Sequence, residues 1–80
     1  MFKAMVVDDH PFIRSSVKML LKQENFEVVA EADNGADALQ LAREYAPDLI
    51  VLDIGMPKLD GLEVIRRITA LNLKCKILVL

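Results

Sequence analysis

The chain has 80 residues, room for at most one domain, and 54% of them are apolar while only 5% are aromatic. Lys and Arg number 10 against 12 Asp and Glu, a net charge of −2 that gives no pull toward nucleic acid or a membrane surface. A single cysteine, Cys75, excludes an internal disulfide and a cysteine-built zinc site.

No apolar run approaches the ~20 residues that span a bilayer. The N-terminus carries Lys3 and then acids by Asp8, which is no signal peptide. The expectation is a reduced, cytoplasmic protein. Its apolar mass is Leu, Ile, Val, Ala and Met, as suits strands covered on both faces by helices.

Residues 2–8 read as strand 1, an apolar run ended by Asp8 and Asp9. Pro11 then fits the first turn of helix 1, where its missing N–H costs nothing. Ile13, Val17, Leu20 and Leu21 are assigned its apolar face, and Arg14, Lys18 and Lys22 a solvated one. Residues 27–32 form strand 2 around Val28 and Val29, and Asp33-Asn34-Gly35 is a turn and cap cluster. Ala38, Leu39, Ala42 and Tyr45 give helix 2 a slimmer stripe, which Pro47 ends.

Residues 48–53 read as strand 3, again apolar and again ended by an acid, Asp53. Gly55, Pro57 and Gly61 make residues 54–61 a loop, with Met56 and Pro57 shaping it. Asp60 is placed as the cap of helix 3, with Glu63 at capping-box spacing. Leu62, Ile65 and Ile68 are expected to form its buried face, and residues 76–80 read as strand 4.

The pattern is βαβαβαβ. Right-handed crossovers turn it into an α/β fold, a doubly wound parallel sheet with helices on both faces. Ligands of such sheets sit beyond the carboxyl ends of the strands, where strand order reverses. If strands 1 and 3 are neighbours, Asp8, Asp9 and Asp53 converge there. Three carboxylates cannot stay ionised at that range without a cation among them, so the two strand ends predict a hard-metal site. His10, before Pro11, is read as a partly exposed loop histidine, and Cys75 as a packing or exposed residue.

Val6-Val7-Asp8-Asp9-His10-Pro11, Asn34-Gly35 and the segment Leu52-Asp53-Ile54-Gly55-Met56-Pro57-Lys58-Leu59-Asp60-Gly61 resemble a receiver domain of two-component response regulators. The Asp-Asp-His-Pro opening resembles the subfamily whose output is a C-terminal helix-turn-helix DNA-binding domain. The resemblance implies a flavodoxin-like receiver fold with strand order 2-1-3-4. It implies that Asp53 accepts phosphate from the histidine of a sensor kinase. Asp9 would be the direct Mg²⁺ ligand, Asp8 one that acts mainly through water, and Gly55 a backbone-carbonyl ligand, with Ca²⁺ or Mn²⁺ as substitutes. Met56, Pro57, Asp60 and Gly61 would shape the loop, and Arg14, Lys18 and Lys22 are candidate kinase-docking residues. The partners implied are the kinase and the output domain, with no direct nucleic-acid contact, no membrane and no enzymatic activity of the chain itself.

The family continues past strand 4 with a Ser or Thr, helix 4, strand 5 ending in Lys, and helix 5. The expectation for residues 1–80 is therefore a partial receiver domain, truncated after strand 4, with the metal half of the site and without the phosphate-sensing half. Val51, Ile77 and Val79 should be uncovered, and strand 4 should be an open edge that draws the chain into a homo-oligomer. Two other readings carry less weight. A docking pseudo-receiver would normally lose one of the acids. An Asp-nucleophile phosphatase needs a second Asp where Gly55 stands.

Overall fold

The computed structural model describes residues 1–53, 55, 61–71 and 74–80. In chain order the elements are β1 (Phe2–Val7), α1 (Pro11–Gln23), β2 (Phe26–Ala32), α2 (Gly35–Tyr45), β3 (Leu49–Leu52), α3 (Gly61–Ala70) and β4 (Lys76–Val79). All strand pairings are parallel, in the order β2-β1-β3-β4. The doubly wound architecture and the strand order match expectation.

Alternation along β1 builds two cores. Met5 and Val7 join Ile50 and Leu52 against Ala38 and Ala42 of α2 and Val64 and Ile68 of α3. Ala4 and Val6 join Val51 on the other face, under Leu21 of α1 with Val17 packed alongside. A strand segment buried on both faces has to be apolar at every position, which is why residues 4–7 of β1 and 50–52 of β3 are unbroken apolar runs, while Phe2 and Lys3 at the start of β1 are exposed.

The helices start and stop on local signals. Pro11 opens α1, and the residue before it, His10, is held extended at φ −98° and ψ 106°, as a following proline favours. The exit from α1 turns on Asn25 at φ 65°, a left-handed conformation that asparagine tolerates. Asn34 caps α2, its side-chain oxygen accepting the Asp37 N–H over 2.9 Å. Ala46, left-handed at φ 45°, ends that helix ahead of the buried Pro47.

Three expectations about faces are corrected. In α1, Leu21 is buried and Val17 half-buried, but Ile13 and Leu20 are exposed. Leu20 stands roughly 80° round the helix from the Val17–Leu21 line, too far to reach the sheet. In α3 the buried pair is Val64 and Ile68, while Leu62 is 72% exposed. Val64 and Ile68 are four residues apart and so share a line, whereas Leu62 lies roughly 140° from it. Val51 is not uncovered but only 3% exposed, because α1 covers its face of the sheet. Ile77 is half-buried and Val79 is exposed. The expected cap at Asp60 and the loop-shaping roles of Met56 and Pro57 fall outside the described residues.

Candidate functional site

The site follows from the register of two strands. Val7 pairs with Leu52, and the next rung is the Asp53 N–H donating to the Val7 carbonyl over 3.0 Å. On the other side of β1, the Asp8 N–H donates to the Ala32 carbonyl over 3.0 Å. The ladder therefore sets Asp8 and Asp53 side by side at the carboxyl rim, with Asp9 following directly. This is the convergence expected of the two strand ends.

The fourth member was read from the sequence as a partly exposed loop histidine, over the alternative of a ligand or proton donor. His10 folds its ring back over the rim. Its Nδ1 lies 3.0 Å from Asp8 Oδ1, 2.9 Å from Asp9 Oδ1 and 3.7 Å from Asp53 Oδ2. One ligand atom from each of Asp8, Asp9, His10 and Asp53 falls within 4.8 Å of all the others. Asp8 is 2% exposed, at the base of the site, and accepts both the His10 ring hydrogen bond and the His10 backbone N–H, the latter over 2.8 Å. The hydrogen bond to Asp8, then the charge of Asp9, raise the His10 imidazole above its ordinary value of 6.5; the charges of Asp8 and Asp53 act the same way and desolvation opposes them. The only hint in the sequence was its position directly after the acid pair.

Gly55 closes the other side. Its N–H donates to Asp53 Oδ1 over 2.8 Å, and a Cβ at this position would meet that oxygen at 3.2 Å. Glycine lets the turn approach the carboxylate closely.

Arg14 and Lys18, candidates for docking, are engaged within the chain. Arg14 Nη1 donates to the Asp8 carbonyl over 2.7 Å, and its Nε to Glu31 Oε1 over 3.0 Å. Lys18 Nζ reaches Glu31 Oε2 over 2.8 Å. Arg14 thus braces the backbone beneath the acid pair. Lys22 is exposed. The hydrogen bond from Lys18 is the largest cause holding the Glu31 carboxyl below its usual range, with the Lys18 charge and Arg14 adding to it and desolvation opposing.

The donor set fits a hard divalent cation. Asp9 Oδ1 is buried, and no described group donates a hydrogen bond to it. The His10 ring makes its hydrogen bond to Asp8 and stands 2.9 Å from Asp9 Oδ1 as an ion-pair contact. A buried carboxylate oxygen without a hydrogen-bond donor costs about 1–3 kcal/mol, which a cation among these oxygens would relieve. Magnesium in particular takes octahedral oxygen ligands and keeps several waters, so it suits a few carboxylates at a rim. No described helix is long and apolar enough to cross a membrane.

Comparison with known proteins agrees with this geometry. The family model of the response regulator receiver domain matches residues 4–80. BvgA of Bordetella pertussis is 55% identical over 78 residues, which make up 98% of this chain and 37% of BvgA. The chemotaxis protein CheY of Listeria monocytogenes is 44% identical over 78 residues, 98% of this chain and 66% of CheY. Among solved structures, a DNA-binding response regulator of the LuxR family from Staphylococcus aureus superposes with a TM-score of 0.89 at 35% identity, over 99% of this chain and 67% of that one. The chain spans well under half the length of BvgA.

Proposed function

The chain belongs to the response regulator receiver domain family, and on that premise we propose that it is a phosphoacceptor whose Asp53 takes a phosphoryl group from the histidine of a sensor kinase. The observation that carries this reading is the clustering of Asp53 with Asp8 and Asp9 at one rim, one oxygen of each within 4.8 Å of the others. In the reaction, a carboxylate oxygen of Asp53 bonds to phosphorus as the bond from phosphorus to the kinase imidazole breaks.

The residues of the chain prepare that exchange. Gly55 holds Oδ1 of Asp53 by a hydrogen bond, while Oδ2 faces His10 and the acid pair, so the carboxylate has a set orientation. Arg14 steadies the Asp8 backbone. Asp8, Asp9, Asp53 and the Gly55 carbonyl would hold Mg²⁺, with Ca²⁺ or Mn²⁺ as substitutes. When bound, Mg²⁺ supplies charge neutralisation between Asp53 and the incoming phosphoryl group, and orients it. In the whole protein, phosphorylation in the cytoplasm would control a DNA-binding output domain, a partner suggested by the similarity to a DNA-binding response regulator.

A docking module that takes no phosphate is the competing reading, and the presence of all three acids in one cluster favours the phosphoacceptor. Beryllium fluoride, a phosphoryl mimic, separates the two. With Mg²⁺ present, it should shift the amide resonances of Asp53 and Gly55 in the full-length protein that carries this chain, and leave its Asp53→Asn variant unchanged. A full-length protein that binds Mg²⁺ and ignores beryllium fluoride would leave the docking reading standing.

A further inference from the structure

We propose that His10 is a ligand of the metal site, a nitrogen donor that turns the site toward borderline cations such as Co²⁺ and Zn²⁺. This rests on the reading of Asp8, Asp9 and Asp53 as a cation site and adds a donor to it.

The first argument is distance. Two ligand atoms at right angles around a metal, with bonds of about 2.1 Å, lie roughly 3 Å apart. His10 Nδ1 stands 3.0 Å from Asp8 Oδ1 and 2.9 Å from Asp9 Oδ1. These hydrogen-bond and ion-pair distances also match the separation of neighbouring ligands on a metal, and Asp53 Oδ2 at 3.7 Å is close enough to complete the set with a small turn of a side chain.

The second argument is hydrogen-bond accounting. Nδ1 can present either one proton or one lone pair. With a proton its hydrogen bond goes to Asp8, and the buried Asp9 Oδ1 keeps only an ion-pair contact and no hydrogen bond. With a lone pair it can share a cation with Asp8, Asp9 and Asp53, and Asp9 Oδ1 then gains the partner it lacks. The imidazole is 58% exposed, so its other nitrogen can carry the proton toward water.

The third argument is support. The His10 backbone is fixed from both sides, by its N–H to Asp8 Oδ1 and by Pro11 at the start of α1. The ring is therefore delivered to the rim by ordered backbone. Imidazole suits cobalt, nickel, copper and zinc, whereas magnesium favours oxygen. Three carboxylates alone make a magnesium-type site, and adding His10 makes a mixed one.

The test is calorimetric titration of the metal-stripped 80-residue chain with Co²⁺ and, separately, Mg²⁺, in the native form and in His10→Ser and Asp9→Ala. Serine keeps a residue favoured ahead of a helix. His10→Ser should weaken Co²⁺ by about tenfold to a hundredfold, the scale that even outer partners of a metal ligand command, with Mg²⁺ little changed. In the Mn²⁺-loaded native chain, electron spin echo spectra should show nitrogen coupling that His10→Ser removes. Co²⁺ affinity that is equal or higher in His10→Ser, or a native chain without nitrogen coupling, would overturn the proposal while leaving the carboxylate site intact. Full metal binding by Asp9→Ala would instead overturn the carboxylate site itself, and no binding by the native chain would overturn both.

Discussion

Asp53 donates its backbone N–H to the carbonyl of Val7 over 3.0 Å, and this rung fixes the alignment of the two acidic strand ends. It continues the pairing of Val7 with Leu52. A slip of one residue would send the Asp53 side chain to the opposite face of the sheet. The site therefore depends on the same ladder that forms the core, and several expected outcomes follow from that dependence.

Removing Asp9 should remove Mg²⁺ binding while leaving the fold in place, since its side chain sits at the rim and its Oδ1 has no described hydrogen-bond donor. At a free Mg²⁺ concentration about a hundredfold above its Kd, the native chain should gain about 2.7 kcal/mol of stability, and chelation should abolish the gain. Thermal unfolding of Asp9→Ala with and without Mg²⁺ should show no difference. A variant that keeps the full Mg²⁺ response would refute the site.

The two apolar positions on α3 should behave very differently. Ile68 is buried against β3 and α2, and Ile68→Ala should cost about 2–5 kcal/mol. Leu62→Ala should stay within about 0.5 kcal/mol, as exposed positions do. Urea denaturation of both variants measures the contrast, and equal losses would contradict the observed face of α3.

Acid should weaken the link between α1 and β2. The Glu31 carboxyl is held below its ordinary value of 4.5, chiefly by the Lys18 hydrogen bond. A lowered folded-state value contributes stability above pH 4.5 that is lost as pH falls through the folded-state value. Glu31 is 38% exposed, so solvent and salt screen the pair and about 0–1 kcal/mol is at stake. In Glu31→Gln the acid limb of a stability–pH curve should be shallower by that amount, and the difference should shrink in high salt. A steeper limb in the variant would reverse the sign assigned here.

The chain should self-associate at high concentration. Among the described residues no strand pairs with the outer edge of β4, and Leu78, Val79 and Leu80 are exposed beside it. Unpaired strand edges with apolar side chains favour further pairing, and a charge on the edge discourages it. Sedimentation should show concentration-dependent association that Leu78→Lys reduces. A native monomer at all concentrations would exclude this edge as a contact.

Much of the architecture was legible in the sequence because it depends on short-range signals. Aliphatic runs ended by Asp8 and Asp53 marked the strands, Pro11 opened α1, and Asn34 marked the start of α2. Two acidic strand ends place three carboxylates together once their strands are neighbours, an adjacency that came from the family resemblance and that the sheet order bears out. Side-chain contacts between elements were not legible in this way. Leu62 and Val64 are both plausible core residues by type, and only the docking of α3 on the sheet decides which faces inward. Val51 is covered because α1 lies over it, a contact between residues far apart in sequence. Arg14 bonds the Asp8 carbonyl and His10 turns onto the acid pair because the end of β1 and the start of α1 are packed into one corner. Period and capping are properties of a few consecutive residues, whereas partners across a fold are set by how whole elements pack, and only the tertiary structure decides that.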